Sequence, residues 1–398
     1  MKQAFFWCYP WDMEDEGVAA ALGRMAGDVG VNAVSVVAAH HGIREIRPRA
    51  VSGPRVIQLD AAAHFQPDGK RYAKNGIRPI AASWMKSRNP LDKIAGEAEK
   101  QGLALRVSVS GCRGGAMVSK YPMASCVNVF GAQSCAWMCP SNPDVRRYVA
   151  DLVEDLTVNY PVDTLELTYA DFGDGRDLWR HLGSGVRPGE VERMLWSWCF
   201  CSSCRQRAMD ADVDVEAVVA SVTDHLDRML RLEPATHDSF EFMLANDAHL
   251  AAYHKARVGA VTSLARMVRS QTKTRLILDL PSPRVASGAY IAELKEHCDG
   301  FLLPLPPAEA PSLHSSFEAQ VREAGGAERV DVSEYCCPPR VKDGPSLVAK
   351  VHRAIETGHP AVGFFNYGLA PEPCLGWVRQ AIRYARRDRG FTSIPSCY

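Results

Sequence analysis

The stretch Pro143-Asp-Val-Arg-Arg-Tyr-Val-Ala-Asp-Leu-Val-Glu-Asp-Leu-Thr-Val-Asn159, with Thr164-Leu-Glu-Leu-Thr-Tyr169 close behind it, decides the fold. Ser141 or Asn142 can cap a helix here, and proline suits the first helical turn. Apolar side chains then recur at helical spacing along one face. They are Val145, Tyr148, Val149, Leu152, Val153 and Leu156. We therefore predict a helix that ends before Tyr160-Pro161 and a strand that follows directly.

The same pattern of short β-rich runs and amphipathic stretches continues along the whole chain, which is typical of parallel βα units. Eight runs are predicted as strands: Ala4–Tyr9, Ala33–Ala38, Leu103–Ser108, Thr164–Tyr169, Arg275–Leu280, Gly300–Pro304, Arg329–Ser333 and Ala361–Phe365. Eight such units in 398 residues predict an α/β fold, a (β/α)8 TIM barrel. An open doubly wound sheet is the competitor, but no Gly-x-Gly-x-x-Gly follows the first strand.

Two connections are longer than a barrel needs, one after strand two and one after strand four. The first includes Pro54–Asp60 and a Pro67-Asp-Gly69 turn, which suggest a small hairpin. The second is a helical, cysteine-rich insertion at about 174–270, with a long helical stretch from Asp214 to about Ser270. Loops of this length are usually functional, and both follow strands, so both should lie at the catalytic end of a barrel. We predict a single barrel domain over residues 1–398.

The composition excludes several classes of partner. Lys and Arg number 46, as do Asp and Glu, so no net charge favours nucleic acid or an anionic membrane. Acidic residues from Asp12 onward interrupt the start before a signal sequence can form, and no apolar run is long enough to span a membrane. The 13 cysteines are odd in number and scattered. These features predict a cytoplasmic protein with reduced thiols, which could form a homo-oligomer.

Four cysteines predict a metal site. Cys199-x-Cys201-x-x-Cys204 can place three sulfurs on one side of an ion, and Cys139 is the best fourth ligand, with Cys135 in reserve. Zn²⁺ takes four thiolates in tetrahedral sites, which leaves no position for water or substrate. We therefore predict a structural zinc and expect no organic cofactor. The alternative is that these are buried free cysteines, since free cysteine is among the most buried residue types.

The segment Cys139-Pro-Ser-Asn-Pro143, a helix, a strand and then Cys199-Phe-Cys-Ser-Ser-Cys204-Arg resembles the zinc-cysteine segment of the family 42 β-galactosidases. The resemblance covers about 70 residues and implies a (β/α)8 retaining glycosidase, or a divergent relative, with a structural zinc. It also implies a nucleophile at the end of strand seven, which is the position of Glu334. The family ends strand four in Asn-Glu, whereas Tyr169 and Ala170 stand here, so the family's acid/base has no counterpart at that position.

Strand ends supply the candidate catalytic carboxylates. Glycoside hydrolysis needs two carboxyl groups around one bond. Glu166 lies within an apolar strand, where a charge is costly unless it has a partner or a role, and Asp171 lies at the rim beyond the same strand. We predict Glu166 or Asp171 as acid/base and Glu334 as nucleophile. A salt bridge with arginine or lysine is the competing interpretation of each.

Other polar and aromatic residues at strand ends predict contacts to a small carbohydrate or glycoside substrate. Aromatic rings can stack on a sugar, and amide, carboxylate and imidazole groups can bind its hydroxyls. The candidates are Tyr9, Trp11, Asp12, His40, His41, Asp279, Asn366 and Tyr367. Packing at the barrel rim would explain the same residues.

Three functions fit these features. The first is a glycosidase using the paired carboxylates. The second is a divalent-metal sugar isomerase or epimerase that binds its ion through Glu166, Asp279, Glu334 and a histidine of the His40-His41 pair. The third is a carbohydrate-binding barrel without catalysis, which the absent Asn-Glu pair of strand four favours.

Overall fold

A computed structural model of the protein describes residues 2–179, 188–233, 239–307 and 310–387. Its strands are β1 Gln3–Cys8, β2 Ala33–Ile46, β3 Val56–Ala63, β4 Ala104–Ser110, β5 Ser125–Val127, β6 Gln133–Met138, β7 Thr164–Thr168, β8 Arg275–Asp279, β9 Gly300–Pro304, β10 Val330–Tyr335 and β11 Ala361–Phe365. Eight of them pair in parallel in the order β1, β2, β4, β7, β8, β9, β10, β11, and β11 pairs with β1 to close the ring. The predicted (β/α)8 barrel is confirmed, and all eight predicted strands belong to it.

The helices lie around this barrel and in its long insertion. They are α1 Pro10–Glu16, α2 Val18–Gly23, α3 Pro90–Lys100, α4 Gly115–Lys120, α5 Pro143–Asn159, α6 Arg176–Trp179, α7 Glu190–Trp196, α8 Ser202–Met209, α9 Val215–Leu230, α10 Phe240–Asn246, α11 Ala248–Gln271, α12 Arg284–Ser287, α13 Ile291–Leu294, α14 Pro311–Ala324, α15 Gly344–Glu356 and α16 Glu372–Arg387. Within the described part of the chain, no helix combines the length and apolarity that crossing a membrane requires.

Helix α5 shows how the local sequence sets its own boundaries. The Asn142 side chain accepts hydrogen bonds from the backbone N–H groups of Asp144 (2.9 Å) and Val145 (3.3 Å), so it is the N-cap. The predicted apolar stripe is buried along its whole length. The helix ends at Asn159, and Tyr160-Pro161 turns the chain into β7.

Alternation along the strands separates two layers of core. In β1, Ala4, Phe6 and Cys8 pack outward against the helices. Phe5 and Trp7 point into the barrel, where they join a second apolar cluster. Residues at the carboxyl ends of the strands therefore face either the mouth of the barrel or the surrounding helices, according to their place in this alternation.

Strand β2 is longer than predicted and leaves the ring. It continues to Ile46 and pairs antiparallel with β3, with His40 opposite Ala62 and Ile46 opposite Val56. The predicted hairpin is present, but its turn lies between Ile46 and Val56 and not at Pro67-Asp-Gly69. His40 and His41 thus lie within a strand that rises past the mouth of the barrel, and not in a loop after it.

The insertion after β7 carries its own apolar cluster, built on Trp198, Phe240 and Tyr253. The predicted long helical stretch divides into α9, α10 and α11, and Asp214 caps α9 through the N–H of Ala217 at 3.0 Å. Residues 180–187 and 234–238 of the predicted insertion lie outside the described residues. The single-domain organisation remains a prediction.

Candidate functional site

A cavity of about 580 Å³ opens at the carboxyl ends of the barrel strands. This volume lies within the range of about 300–1,000 Å³ that is usual for small-molecule sites. Of the predicted site residues, Tyr9, His40, His41, Asp279 and Glu334 line it. They are joined by Trp7, Ser108, Ser110, Thr168, Tyr169, Leu302, Ser333, Tyr335, Arg340, Lys350 and Phe365, among others.

Asp279 is the carboxylate that strand alternation directs into the mouth. It ends β8 opposite Thr168 of β7, and the Thr168 hydroxyl donates to its Oδ2 at 3.2 Å. Burial, together with the nearby carboxylates of Glu166 and Asp171, raises the pKa of Asp279 to about 7 against the opposing effect of the Thr168 hydrogen bond. A carboxyl group of this kind is partly protonated at neutral pH and can donate a proton into the cavity.

Glu334 reaches the cavity at its edge. Alternation in β10 places Asp331 and Ser333 on the inner face, so Glu334 starts from the face toward the helices. Its Oε2 lies 2.8 Å from Nζ of Lys350 on α15, and its Oε1 accepts from the N–H of Tyr335 at 3.0 Å. Burial raises the pKa of Glu334, and Lys350 opposes that shift. Because of this ion pair, Glu334 suits the role of a charged carboxylate better than that of a proton donor.

Uncharged rings form the wall on the side of β2. The rings of His40 and His41 stack with centroids 4.1 Å apart, and Tyr9 and Tyr169 meet them edge-on at 5.7 and 5.1 Å. Burial, with the nearby Arg113 cation, lowers the pKa of His40 to about 4. Burial also lowers the pKa of His41 to about 2, together with His40 and Arg113. Both imidazoles are therefore neutral at physiological pH and can exchange hydrogen bonds with hydroxyl groups.

Glu166 lies deeper, in an ion-pair network inside the barrel. Its carboxylate accepts from Arg106 Nε at 2.6 Å, Trp7 Nε1 at 2.7 Å and the Ser35 hydroxyl at 2.9 Å. The same arginine donates to Asp331 at 2.7 Å. Glu166 is fully buried and does not line the cavity. The predicted acid/base role does not suit this position, and the competing interpretation as a barrel salt bridge fits it.

Asp171 is also placed away from the cavity wall. It is buried, and its Oδ1 accepts from the N–H of Gly173 at 2.7 Å. Burial raises the pKa of Asp171 to about 7. The chain turns away from the mouth after Tyr169, whose φ of 56° is left-handed, and this turn carries Asp171 under the insertion. The predicted catalytic role for Asp171 therefore lacks access to a substrate in this cavity.

Four predicted substrate contacts lie behind the wall instead of on it. Asp12 pairs with Arg47, and Trp11 stacks on the outer side of Tyr9 with centroids 4.5 Å apart. Tyr367 donates to Glu16 at 2.8 Å. Asn366 is fully buried, and its Oδ1 accepts from the N–H of Gly368 at 2.9 Å. These four residues do not line the cavity and instead support its rim, and direct contact with a substrate stays a prediction.

Several wall residues were not predicted from the sequence. Lys350 belongs to a helix distant in sequence from the cluster it completes, and Arg340 lies in the loop after β10. Phe365 and Tyr335 pack edge to face, with ring centroids 5.4 Å apart. Both residues immediately adjoin predicted ones, Asn366 and Glu334, so counting the strand alternation from the barrel interior could have identified them.

The four predicted metal ligands lie together. The sulfurs of Cys139, Cys199, Cys201 and Cys204 are all within 4.8 Å of one another, and Cys139 lies 3.4 Å from Cys204. Two backbone N–H groups point at the cluster, that of Val127 at 3.3 Å from Cys199 and that of Ser141 at 3.4 Å from Cys139. Donors aimed at sulfur suit thiolates, so the residues fit a metal ion.

This cysteine cluster is buried among the elements that flank the insertion. Cys139 precedes α5, and the Tyr253 hydroxyl of α11 donates to the carbonyl of Cys199 at 2.6 Å. In the described residues, it is the one group of three or more His, Cys, Asp or Glu side chains close enough to share an ion. The predicted isomerase ligands Glu166, Asp279 and Glu334 do not converge with a histidine, which removes the basis of that alternative.

No family model matches the chain, and no curated protein sequence matches it. Solved structures do resemble it. A β-galactosidase from the psychrophilic Marinomonas ef1 superposes with a TM-score of 0.58 at 11% identity, over 98% of this chain and 60% of the other. The catalytic domain of a Paenibacillus polymyxa β-amylase superposes with a TM-score of 0.55 at 12% identity, over 96% of this chain and 97% of the other. The glycoside hydrolase domain of PgaB (BpsB) from Bordetella bronchiseptica superposes with a TM-score of 0.53 at 13% identity, over 96% of this chain and 99% of the other.

These three structures are glycoside hydrolases, and they share the (β/α)8 barrel with this chain. This chain spans about three fifths of the length of the Marinomonas enzyme. At such low identity the likeness establishes the shared fold, and function must be argued from the site.

Proposed function

We propose that this protein is a glycoside hydrolase that binds a small sugar or glycoside at the mouth of its barrel. In this proposal Asp279 is the proton donor to the leaving group and Glu334 is the second carboxylate. The observation that carries the proposal is Asp279 itself, a carboxyl group on the cavity wall whose pKa burial raises to about 7. An acid that is still partly protonated at neutral pH can donate its proton to a glycosidic oxygen.

The remainder of the wall supports a sugar ligand. Tyr9, Tyr335 and Phe365 offer aromatic surface for the apolar face of a pyranose. The neutral imidazoles of His40 and His41 and the wall hydroxyls can bind its hydroxyl groups as donors or acceptors. The combination of apolar faces with a few convergent polar groups is typical of small-molecule sites.

A panel of nitrophenyl glycosides tests the proposal, with Asp279→Asn and Glu334→Gln measured beside the unaltered protein. We expect each variant to lose about a hundredfold or more in kcat/KM on the substrate that the protein prefers. For Asp279→Asn the loss should shrink on a dinitrophenyl glycoside, because that leaving group departs without protonation.

Asp171→Asn is the matched control. Asp171 is also a buried aspartate whose pKa burial raises to about 7, but it does not line the cavity. The folded control should retain activity. Equal loss in Asp171→Asn and Asp279→Asn, or full activity in Asp279→Asn, would refute the assignment of Asp279.

A carbohydrate-binding barrel without catalysis is the second candidate. It is favoured by the placement of Glu166 and Asp171 off the cavity wall and by Tyr169 at the end of β7. Saturable sugar binding in calorimetry, without turnover of any glycoside by the unaltered protein, would support this candidate over the hydrolase.

We further propose that the four cysteines bind one structural Zn²⁺, as in the zinc-cysteine segment that this chain resembles. The ion would join the turn at Cys199 to the start of α5, and so would fix the base of the insertion against the barrel. With four thiolate ligands it would take no part in the reaction.

A further inference from the structure

The cavity carries an arginine that forms no direct ion pair in the described part of the chain, although its charge reaches Glu334 and lowers the pKa of that carboxyl. Arg340 lies on the loop after β10, lines the cavity and is exposed. Its guanidinium lies 5.1 Å from the ring centroid of Tyr335, another wall residue. Among the described residues no carboxylate forms an ion pair with Arg340. Stacking on a ring restricts the guanidinium without using its N–H donors, which remain available to a ligand.

A second arginine lies across the mouth, beside the part of the wall that follows β7. Arg113 has its guanidinium 4.8 Å from the ring centroid of Tyr169, which lines the cavity. It also forms no ion pair with a carboxylate in the part of the chain that the structure describes. Its charge acts on the pKa values of His40 and His41, so its field reaches the wall.

The acidic groups at the mouth do not balance these two cations. Glu334 is already paired with Lys350 at 2.8 Å. Burial raises the pKa of Asp279 to about 7, and that of Glu45, which accepts from the Tyr9 hydroxyl at 3.5 Å, also to about 7. Each of these two acids is therefore about half charged at neutral pH. With Arg340 and Lys350 on the wall and Arg113 beside it, basic groups outnumber fully charged carboxylates here, on a chain that has 46 basic and 46 acidic residues.

We propose that the sugar bound in this cavity carries a carboxylate, so that the substrate is a uronide, and that Arg340 binds that carboxylate. The inference rests on the proposed function for the nature of the ligand and adds its substrate class. A guanidinium presents two parallel N–H donors that match a carboxylate, and a ligand carboxylate would supply the direct contact that Glu334, paired with Lys350, does not make. Arg113 would strengthen attraction of the anion into the mouth without touching it.

Calorimetric binding of D-glucuronate and D-galacturonate to the full-length protein tests this, with the methyl ester of each sugar as its uncharged counterpart. We expect the free acids to bind at least about tenfold more tightly than the esters, and the preference to shrink as salt is added. Arg340→Gln should remove the preference, and Arg340→Lys should keep part of it. Arg205→Gln, at an arginine of α8 away from the cavity, is the control and should change nothing.

Equal affinity for acid and ester, or an unchanged preference in Arg340→Gln, would overturn the inference. The same variants assayed on nitrophenyl uronides and nitrophenyl hexosides separate it from the proposed function. Hydrolysis of a neutral hexoside with no preference for uronates would sink the uronide assignment alone. Uronate binding that depends on Arg340, with no hydrolysis of any glycoside, would support the uronide site and defeat the hydrolase.

Discussion

Replacing Glu166 with glutamine tests whether this residue holds the barrel together or performs catalysis. The carboxylate accepts three hydrogen bonds in a fully buried position, and the one from Arg106 joins two charged groups. Glutamine keeps an oxygen that can accept from Trp7 and Ser35. Its NH₂ group, however, would face the guanidinium of Arg106, and two donors cannot pair.

The size of the effect follows from the burial of this pair. Removing one partner of a buried ion pair leaves an uncompensated charge and costs about 3–5 kcal/mol. Unfolding entropy is about 2.1 cal/mol/K per residue, so a chain of this length has about 0.8 kcal/mol/K. The melting temperature of Glu166→Gln should therefore fall by about 4–6 °C.

Thermal unfolding followed by circular dichroism measures the change in melting temperature. Glycosidase kinetics well below the unfolding transition measure whether Glu166 also contributes to catalysis. The folded variant should keep kcat/KM within about threefold of the unaltered protein. Glu216→Gln is the control, because Glu216 pairs with Arg205 while its side chain is 81% exposed. A pair of this kind contributes little, so the control should melt within about 1 °C of the unaltered protein. A Glu166→Gln protein of unchanged stability that has lost a hundredfold or more in activity would refute the structural role and restore the catalytic one.

Three further predictions concern the metal, the proton donor and the capped helix. Elemental analysis should find about one zinc per chain. The zinc should be lost in Cys204→Ser and kept in Cys298→Ser, which changes a buried cysteine outside the cluster. Metal-replete protein without zinc would contradict the assignment. The pKa of Asp279 is raised to about 7 in the folded protein, so kcat/KM should fall as pH rises through about 7. The neutral form of Asp279 should also stabilise the fold fully below about pH 4, and this stabilisation should be lost as pH rises from there through about 7. Asp279→Asn should flatten the pH dependence of the unfolding free energy, and an unchanged profile would exclude Asp279 as its source. Asn142→Ala should lower the unfolding free energy by about 1 kcal/mol through loss of the helix cap, measured by denaturant titration; no change would mean that the two cap hydrogen bonds contribute nothing.

Local sequence patterns were sufficient to predict the barrel, because each βα unit can be recognised from a short stretch of consecutive residues. Strand runs, helical stripes and caps such as Asn142 are set by neighbours in sequence, and all eight strands follow from them. The extension of β2 to Ile46 was not predictable in the same way. It depends on pairing with β3, and Gly42 and the two histidines interrupt the β-rich pattern that would have signalled it.

The sequence by itself determined the type of fold, the four cysteines that gather at one point, and the strand ends near which a site must form. Only the tertiary structure decided which acid faces which environment. Glu166 points inward but meets Arg106 from a neighbouring strand, and Asp171 lies buried away from the cavity. Of the predicted acids, Asp279 and Glu334 line the open mouth. The reason is physical: the charge and proton affinity of a carboxyl group depend on burial and on partners brought from distant strands, and these are absent from the local sequence.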